Sequence, residues 1–289
     1  MRELPVKKTN AEIPDVQNTK DGFPKKYIAK VGTRDATLPV KVLRKDGTLN
    51  EGTGVFSMYS DLNEETKGTN MSRYRILIEE TLASDNYKLN EVVPHLLHQC
   101  KERLKSDNAY VKVKFDYFLK RIAPVSLHVS HMDYKAEIEG RLVDGKTSLY
   151  LTVHVMYASL CPCSKEISGY DPVTQTGKGA HNQRSIGSLT VELNPDATEW
   201  IWIEDLIDII ENNASAPIIN VLKRVDEAYQ TELMYKNPRF VEDMVRLIGD
   251  DLDKELDKKI LDYVIVVNHQ ESIHTAQAVA VMSAGRGMH

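Results

Sequence analysis

Apolar and polar positions alternate with two different periods along this chain, and the switches between them outline its elements. A period of two marks strands at 37–43 (TLPVKVL) and 53–59 (TGVFSMY), joined by the turn Lys45-Asp46-Gly47-Thr48. The spacing then lengthens over 71–83, where Met71, Tyr74, Leu77 or Ile78, and Leu82 recur as on one helix face, with Asn70 as N-cap. A second helix is predicted over 90–104, with Asn90 as cap and Pro94 in the first turn, where its missing N–H is tolerated. Strict alternation returns at 109–119 (AYVKVKFDYFL).

The second half repeats this order. Strands at 126–142 and 147–160 flank the turn Val143-Asp144-Gly145-Lys146, and 187–194 alternates after a polar loop. Helices are predicted over 199–213 and 237–256. In the latter, Val241, Met244, Val245, Ile248 and Leu252 form one stripe, behind an Asn237-Pro238 cap with proline at the first helical position. Strands at 261–269 and 276–283 close the chain. Runs of strands and runs of helices, rather than strict β-α alternation, argue for an α+β protein with antiparallel sheets. Residues 1–27, with Pro5, Pro14 and Pro24, read as an arm; 28–125 and 126–289 read as two modules of similar element order.

Composition narrows the class. A chain of 289 residues with 42% hydrophobic and 27% charged content is globular and buries a sizeable core. A net charge of −5 gives no reason to expect nucleic acid as a partner, though a local basic pocket for an anion is compatible with it. The polar opening segment lacks the apolar core of a signal peptide, and no window approaches 18 consecutive apolar residues. The expected setting is the reducing cytoplasm, away from membranes.

Only three cysteines are present, at 100, 161 and 163, which rules out a disulfide framework. Cys161 and Cys163 lie in LCPCSKEIS, at the lip of a strand. Cys-x-Cys is not the Cys-x-x-Cys knuckle of structural zinc, and no second pair completes one. Two small buried hydrophobes would be the plain explanation, but Ser164, Lys165 and Glu166 make the surroundings polar. A lysine neighbour favours the thiolate, the nucleophilic and metal-binding form. His181, in GAHNQRS, would alone be a solvated loop histidine. Beside the cysteine loop it is a candidate second ligand of a catalytic metal, which needs about three protein groups and an open position. Carboxylates are too numerous for composition to single out Glu227 in LKRVDEAY or Glu242 in NPRFVEDM, and an exposed helix face would explain either. Glu271 and His274, in NHQESIHTAQ, converge only if that segment leaves regular strand geometry. They would then suit proton transfer. Gly-Lys-Gly at 177–179 is not a P-loop, since Gly179 stands where Ser or Thr is required, and no dinucleotide fingerprint follows a strand. The residues alone therefore describe an α+β enzyme with a thiolate-containing metal site, without naming a substrate.

Taken together and in order, SLCPCSKEIS, GAHNQRS, the LKR and DE around Val225, NPRFVEDMVR and ESIH resemble the metal-dependent type IB GTP cyclohydrolases of folate and queuosine biosynthesis. IPDVQNTKD and KGTNMSRYRILIEE resemble the same family, so the likeness spans nearly the whole chain. The departures are a longer loop through GYDPVTQTGK, Val225 in place of proline and Asn70 in place of histidine. The resemblance implies a tunnelling fold (T-fold), with two modules of antiparallel sheet carrying helices on one face, in a homotetramer. It implies conversion of GTP and water to 7,8-dihydroneopterin triphosphate and formate, with a divalent metal, zinc or manganese and with iron tolerated, activating water for attack at C8. Cys161 would be the active-site thiolate and metal ligand, with His181 and Glu227 completing the set. Glu242 would grip the guanine edge, and Glu271 and His274 would handle protons, or His274 would approach the metal itself. Lys165 and Arg184 are candidates for the triphosphate on charge and proximity, and Cys163 would sit beside the substrate or pack. The alternatives are the related nitrile reductase of queuosine synthesis, with a nucleophilic cysteine and NADPH, and a non-catalytic nucleotide- or metal-binding relative.

Overall fold

Strand-forming alternation dominates the molecule. The computed structural model describes residues 16–18, 20–83, 89–169 and 179–287, without the side chains of 89, 90 and 169. Nine strands and six helices follow in the order β1 (Ile28–Leu43), β2 (Leu49–Leu62), α1 (Met71–Leu82), α2 (Leu89–Leu104), β3 (Ala109–Ile122), β4 (Val129–Val143), β5 (Lys146–Leu160), α3 (Pro162–Gly169), β6 (Asn182–Leu193), α4 (Ile203–Asn213), β7 (Ala216–Pro217), α5 (Arg224–Lys236), α6 (Val241–Asp253), β8 (Ile260–His269) and β9 (Ala278–Ser283) among the described residues. They form one sheet in the order β1-β2-β3-β4-β5-β6-β8-β9, with β7 paired to β5. The α+β class with antiparallel pairing agrees with the sequence. The expected tunnelling fold, with a sheet in each of two modules, is corrected. Fifteen-residue strands β4 and β5 pair with each other and with their outer neighbours, so among the described residues the hydrogen bonding continues from β1 to β9 as one sheet.

Two compact units divide the chain, each discontinuous in sequence. The first draws on Met1–Ala36, Val55–Lys112 and Gly140–Thr147. Within it α1 packs against α2 and buries Tyr74, Leu77 and Ile78, the positions its periodicity singled out. Each such side chain contributes about 1.5–3 kcal/mol by leaving water. The Tyr74 hydroxyl donates to the Val31 carbonyl at 3.0 Å and meets Ser60 Oγ at 2.8 Å, which satisfies its polar end inside the core. Asn70 occupies the N-cap position of α1, as expected, but makes no side-chain cap bond. Gly32 is required by close approach: a Cβ there would lie 2.0 Å from the Met58 carbonyl oxygen. Cys100 is buried, and that burial pushes its thiol up to about 12, so it is an inert packing group.

The second unit, Thr37–Gly54, Val113–Glu139 and Ser148–His289, holds every candidate site residue. Residue 125 lies in its Val113–Glu139 segment. The predicted stripe of α6 is buried at Val241, Met244, Val245, Ile248 and Leu252, and α6 packs on β8 and β9. Helix α4 meets β6 at Gly187, where a Cβ would come within 3.0 Å of Ile210. The Asn237-Pro238 pair does not open α6. Asn237 is the C-cap of α5, and α6 begins at Val241, where the Asp243 carboxylate accepts the Phe240 N–H at 2.9 Å. Helices α3 and α5 lie where the periodicity predicted none, and β1 begins nine residues before the predicted 37–43 strand. Among the described residues no helix is long and apolar enough to cross a membrane.

Candidate functional site

The register of β5 and β6 builds the site. Their antiparallel ladder ends at Leu160 opposite Asn182, with Ser159 opposite Gln183 and Tyr157 opposite Ser185. One step beyond the last pair, the Cys161 N–H donates to the His181 carbonyl at 3.2 Å, so the cysteine and histidine motifs meet. Cys161 then serves as N-cap of α3. The Ser164 N–H points at its sulfur at 3.4 Å, and the Lys165 N–H donates to its carbonyl at 3.1 Å. Cys163, the second residue of that helix, is exposed, and all three thiols are free. Ser164 Oγ accepts the His181 N–H at 3.2 Å, and the Ser168 hydroxyl donates to the Gly179 carbonyl, so both ends of the intervening loop are pinned. The body of that loop, 170–178, lies outside the described residues.

The His181 ring is largely buried. Its Nδ1 lies 3.0 Å from Gln183 Oε1 and 3.6 Å from Glu271 Oε2. Glu271 is brought there because β8 ends at His269: the Gln270 N–H donates to the Arg184 carbonyl and the Glu271 N–H to the His269 carbonyl, which bends the chain over β6. His274 lies farther along the same turn, exposed and not brought to Glu271. Below, on the buried face, the Tyr157 hydroxyl and His269 Nε2 are 3.0 Å apart, with their rings edge to face. Burial pushes His269 down to about 4, against the opposing pull of the Glu242 charge. Glu242 itself is exposed in the first turn of α6.

The remaining candidates are placed as follows. The Lys165 ammonium donates to the Tyr235 carbonyl at 2.7 Å and sits 4.5 Å over the Tyr235 ring, so it ties α3 to the C-terminal end of α5. Arg184 is exposed on β6 and alternates with the buried Gln183 and Ser185. Glu227 is exposed on the first turn of α5 and is not gathered with Cys161 and His181. Among the described residues no group of three His, Cys, Asp or Glu side chains is arranged to hold a metal ion. Cys161 and His181, which the backbone bond brings together, nevertheless carry a thiol and an imidazole, the donor chemistry of a zinc-like site. The sequence neighbour of Glu227, Asp226, is buried and accepts from the N–H groups of Val125, Ser126 and Lys223 and from the Ser126 hydroxyl. These bonds hold its carboxyl well below the usual range despite burial. A cavity of about 370 Å³, lined by Leu160, Ala180, Asn182, Met234 and Tyr235 among others, opens beside the cysteine–histidine corner. That volume is in the range of small-ligand sites. Sequence reading missed Gln183, Ser159, Tyr157 and His269. Their places at the site follow from cross-strand register, Ser159 opposite Gln183 and Tyr157 opposite Ser185, which residue type does not signal.

A family model described as type I GTP cyclohydrolase FolE2 matches residues 13–280. The chain belongs to this family. The GTP cyclohydrolase FolE2 of Magnetococcus marinus is 37% identical over 280 residues, covering 96% of this chain and 98% of the relative. That of Geobacter sp. strain M21 is 40% identical over 285 residues, covering 95% and 96%, and that of Dictyoglomus turgidum is 38% identical over 273 residues, covering 94% and 98%. Among solved structures, the uricase of Arthrobacter globiformis superposes with a TM-score of 0.55 at 7% identity, covering 94% of this chain and 98% of that one. A uricase from Bacillus fastidious gives 0.54 at 8% identity, covering 89% and 92%. At such identities the likeness concerns the fold alone. It replaces the tunnelling-fold expectation with a uricase-like, mostly antiparallel sheet. In this FolE2 family member the cysteine and histidine motifs form the corner described above.

Proposed function

We propose that this protein is a GTP cyclohydrolase of the metal-dependent type IB class, hydrolysing GTP to 7,8-dihydroneopterin triphosphate and formate. The observation that carries the reading is the junction of Cys161 with His181 in a chain that matches the family from residue 13 to 280. Cys161, His181 and Glu227 would hold a divalent ion, zinc or manganese, which when bound supplies Lewis acidity for addition of water at C8 of guanine. Glu242 would accept hydrogen bonds from guanine N1–H and its 2-amino group. Glu271, beside His181, and His274 would move protons during ring opening and loss of formate. Arg184, exposed at the same strand end, would meet the triphosphate. Lys165 would join it only by leaving the Tyr235 carbonyl. The product would feed folate or queuosine synthesis in the cytoplasm, and the working unit would be a homotetramer.

Incubation of the purified protein with GTP and Mn²⁺ or Zn²⁺ tests this directly. Formate should be released, a fluorescent pterin should form on oxidation, and excess chelator should abolish both. Undiminished turnover in chelator would overturn the metal role, and no formate under any metal would overturn the activity.

A further inference from the structure

Gln183 heads a line of buried polar groups that ends at the candidate ligand His181. Its side chain is 8% exposed, and Ser159 and Ser185 are fully buried. Gln183 Nε2 donates to Ser159 Oγ at 2.8 Å, and Ser159 Oγ meets Ser185 Oγ at 2.8 Å. Strand geometry explains the arrangement. Ser159 is the cross-strand partner of Gln183, and Ser185, two residues on, shares its face. With its amide nitrogen so engaged, Gln183 turns Oε1 to His181 Nδ1 at 3.0 Å, while Glu271 Oε2 stands 3.6 Å from the same nitrogen.

An amide oxygen and the oxygen of an ionised carboxylate only accept hydrogen bonds. Two acceptors converging on one ring nitrogen require that nitrogen to carry the proton. Turning the amide over would set the Nδ1 lone pair against the Glu271 carboxylate, and Ser159 Oγ would change from acceptor to donor toward Gln183. A neutral ring protonated on Nδ1 has its lone pair on Nε2. At 3.0 Å Gln183 makes the direct hydrogen bond, whereas Glu271 at 3.6 Å lies beyond one. We propose that Gln183 is a positioning residue: it fixes His181 in the Nδ1–H tautomer and holds the ring so that Nε2 is the atom offered to the metal. The second half of this proposal rests on reading His181 as a ligand; the first half does not. Histidines that ligate metals commonly donate their other ring N–H to such a partner, and losing the partner costs about ten- to a hundredfold in metal affinity.

Two measurements test it. Long-range ¹H–¹⁵N correlation on the metal-free protein, with His181 assigned by comparison with His181→Ala, should report the Nδ1–H tautomer. Gln183→Met keeps the length and removes the acceptor. It should shift His181 toward the Nε2–H form and weaken Zn²⁺ binding, read by competition with a chromophoric chelator, about ten- to a hundredfold. Gln183→Glu restores an acceptor and should keep the tautomer and hold affinity within a few-fold of wild type. Should the methionine variant not fold, Ser159→Ala releases the Gln183 amide instead and should cause a smaller shift in the same direction. A wild-type His181 protonated on Nε2, or an unchanged tautomer and affinity in these variants, overturns the proposal. Undiminished Zn²⁺ binding by His181→Ala would overturn the ligand reading itself, and with it the claim for Nε2, while the tautomer result still decides whether Gln183 orients the ring.

Discussion

The N–H of Cys161 donates to the carbonyl of His181 at 3.2 Å, one step beyond the last rung of the β5–β6 ladder. Two residues twenty positions apart in sequence are thereby fixed at one corner, with Ser164 Oγ also accepting the His181 N–H. Their side chains project from a rigid strand end rather than from a free loop, which favours a preorganised site.

The two cysteines of LCPCSKEIS should behave differently. Cys161 caps α3 with its sulfur, while Cys163 lies exposed on that helix. Cys161→Ser exchanges a soft thiolate for a protonated hydroxyl yet leaves a good N-cap residue, so folding should survive. Bound metal should be lost and GTP turnover abolished at any substrate concentration. Cys163→Ser should keep its metal and most of its activity. Metal analysis of both purified variants decides the matter, and equal depletion would make Cys163 a ligand too.

Glu242 should separate substrate binding from metal binding. It is exposed on α6, and its charge acts on the buried His269. Glu242→Gln should retain metal and bind GTP about ten- to a hundredfold more weakly, the equivalent of about 1.5–3 kcal/mol for a charge-assisted contact. Metal loss equal to that of Glu227→Gln would show that the two carboxylates have been assigned each other's roles.

Some of this was legible in the sequence and some was not, for physical reasons. The stripe of α6 was legible because the helix buries one continuous apolar face. Helix α5 was not: the residues it buries are Asp226 and Gln230, while Val225 and Tyr229 face solvent, so its pattern is inverted. Asn237 suits either end of a helix, and only the chain's path shows that it closes α5 rather than opening α6. Alternation marked the strands, but not that β4 and β5 would carry the ladder through as one sheet, since pairing is non-local. At the site, the motif residues Cys161 and His181 could be picked out. Gln183 and Tyr157 could not, because their importance lies in cross-strand register rather than in residue type.

Asp226 should control the start of α5, and through it the placement of Glu227. Its carboxylate ties that helix to Val125 and Ser126 and also accepts the Lys223 N–H. Asp226→Asn removes the charge and puts an amide donor against these N–H groups, so the melting temperature should fall. Because the folded group titrates below its ordinary value, its stabilisation is present above about pH 4 and is lost as pH falls through the depressed value. The wild-type advantage should therefore be constant from pH 7 to 5 and shrink below about 4. An advantage that persists unchanged to pH 2.5 would show that packing, not charge, carries the effect.

The Tyr157–His269 pair should give the protein a second acid sensitivity, at higher pH. His269 is 2% exposed, and the only hydrogen bond of its ring among the described residues is the 3.0 Å contact with the Tyr157 hydroxyl. Burial keeps the imidazole neutral down to about pH 4, whereas in the unfolded chain it gains its proton near 6.5. Between those values the unfolded state binds a proton that the folded state refuses, so stability rises with pH across this window and is lost as pH falls through it. The slope from one such group reaches at most about 1.4 kcal/mol per pH unit. His269→Gln should be less stable than wild type at pH 7.5, where the neutral pair is intact, and the gap should narrow steadily toward pH 4.5 because only the wild type pays this proton linkage. Urea unfolding at half-unit intervals from pH 7.5 to 4.5 measures the difference. If the two stability profiles ran parallel across that range, His269 would be titrating as in the unfolded chain, and the neutral, Tyr157-held imidazole would be wrong.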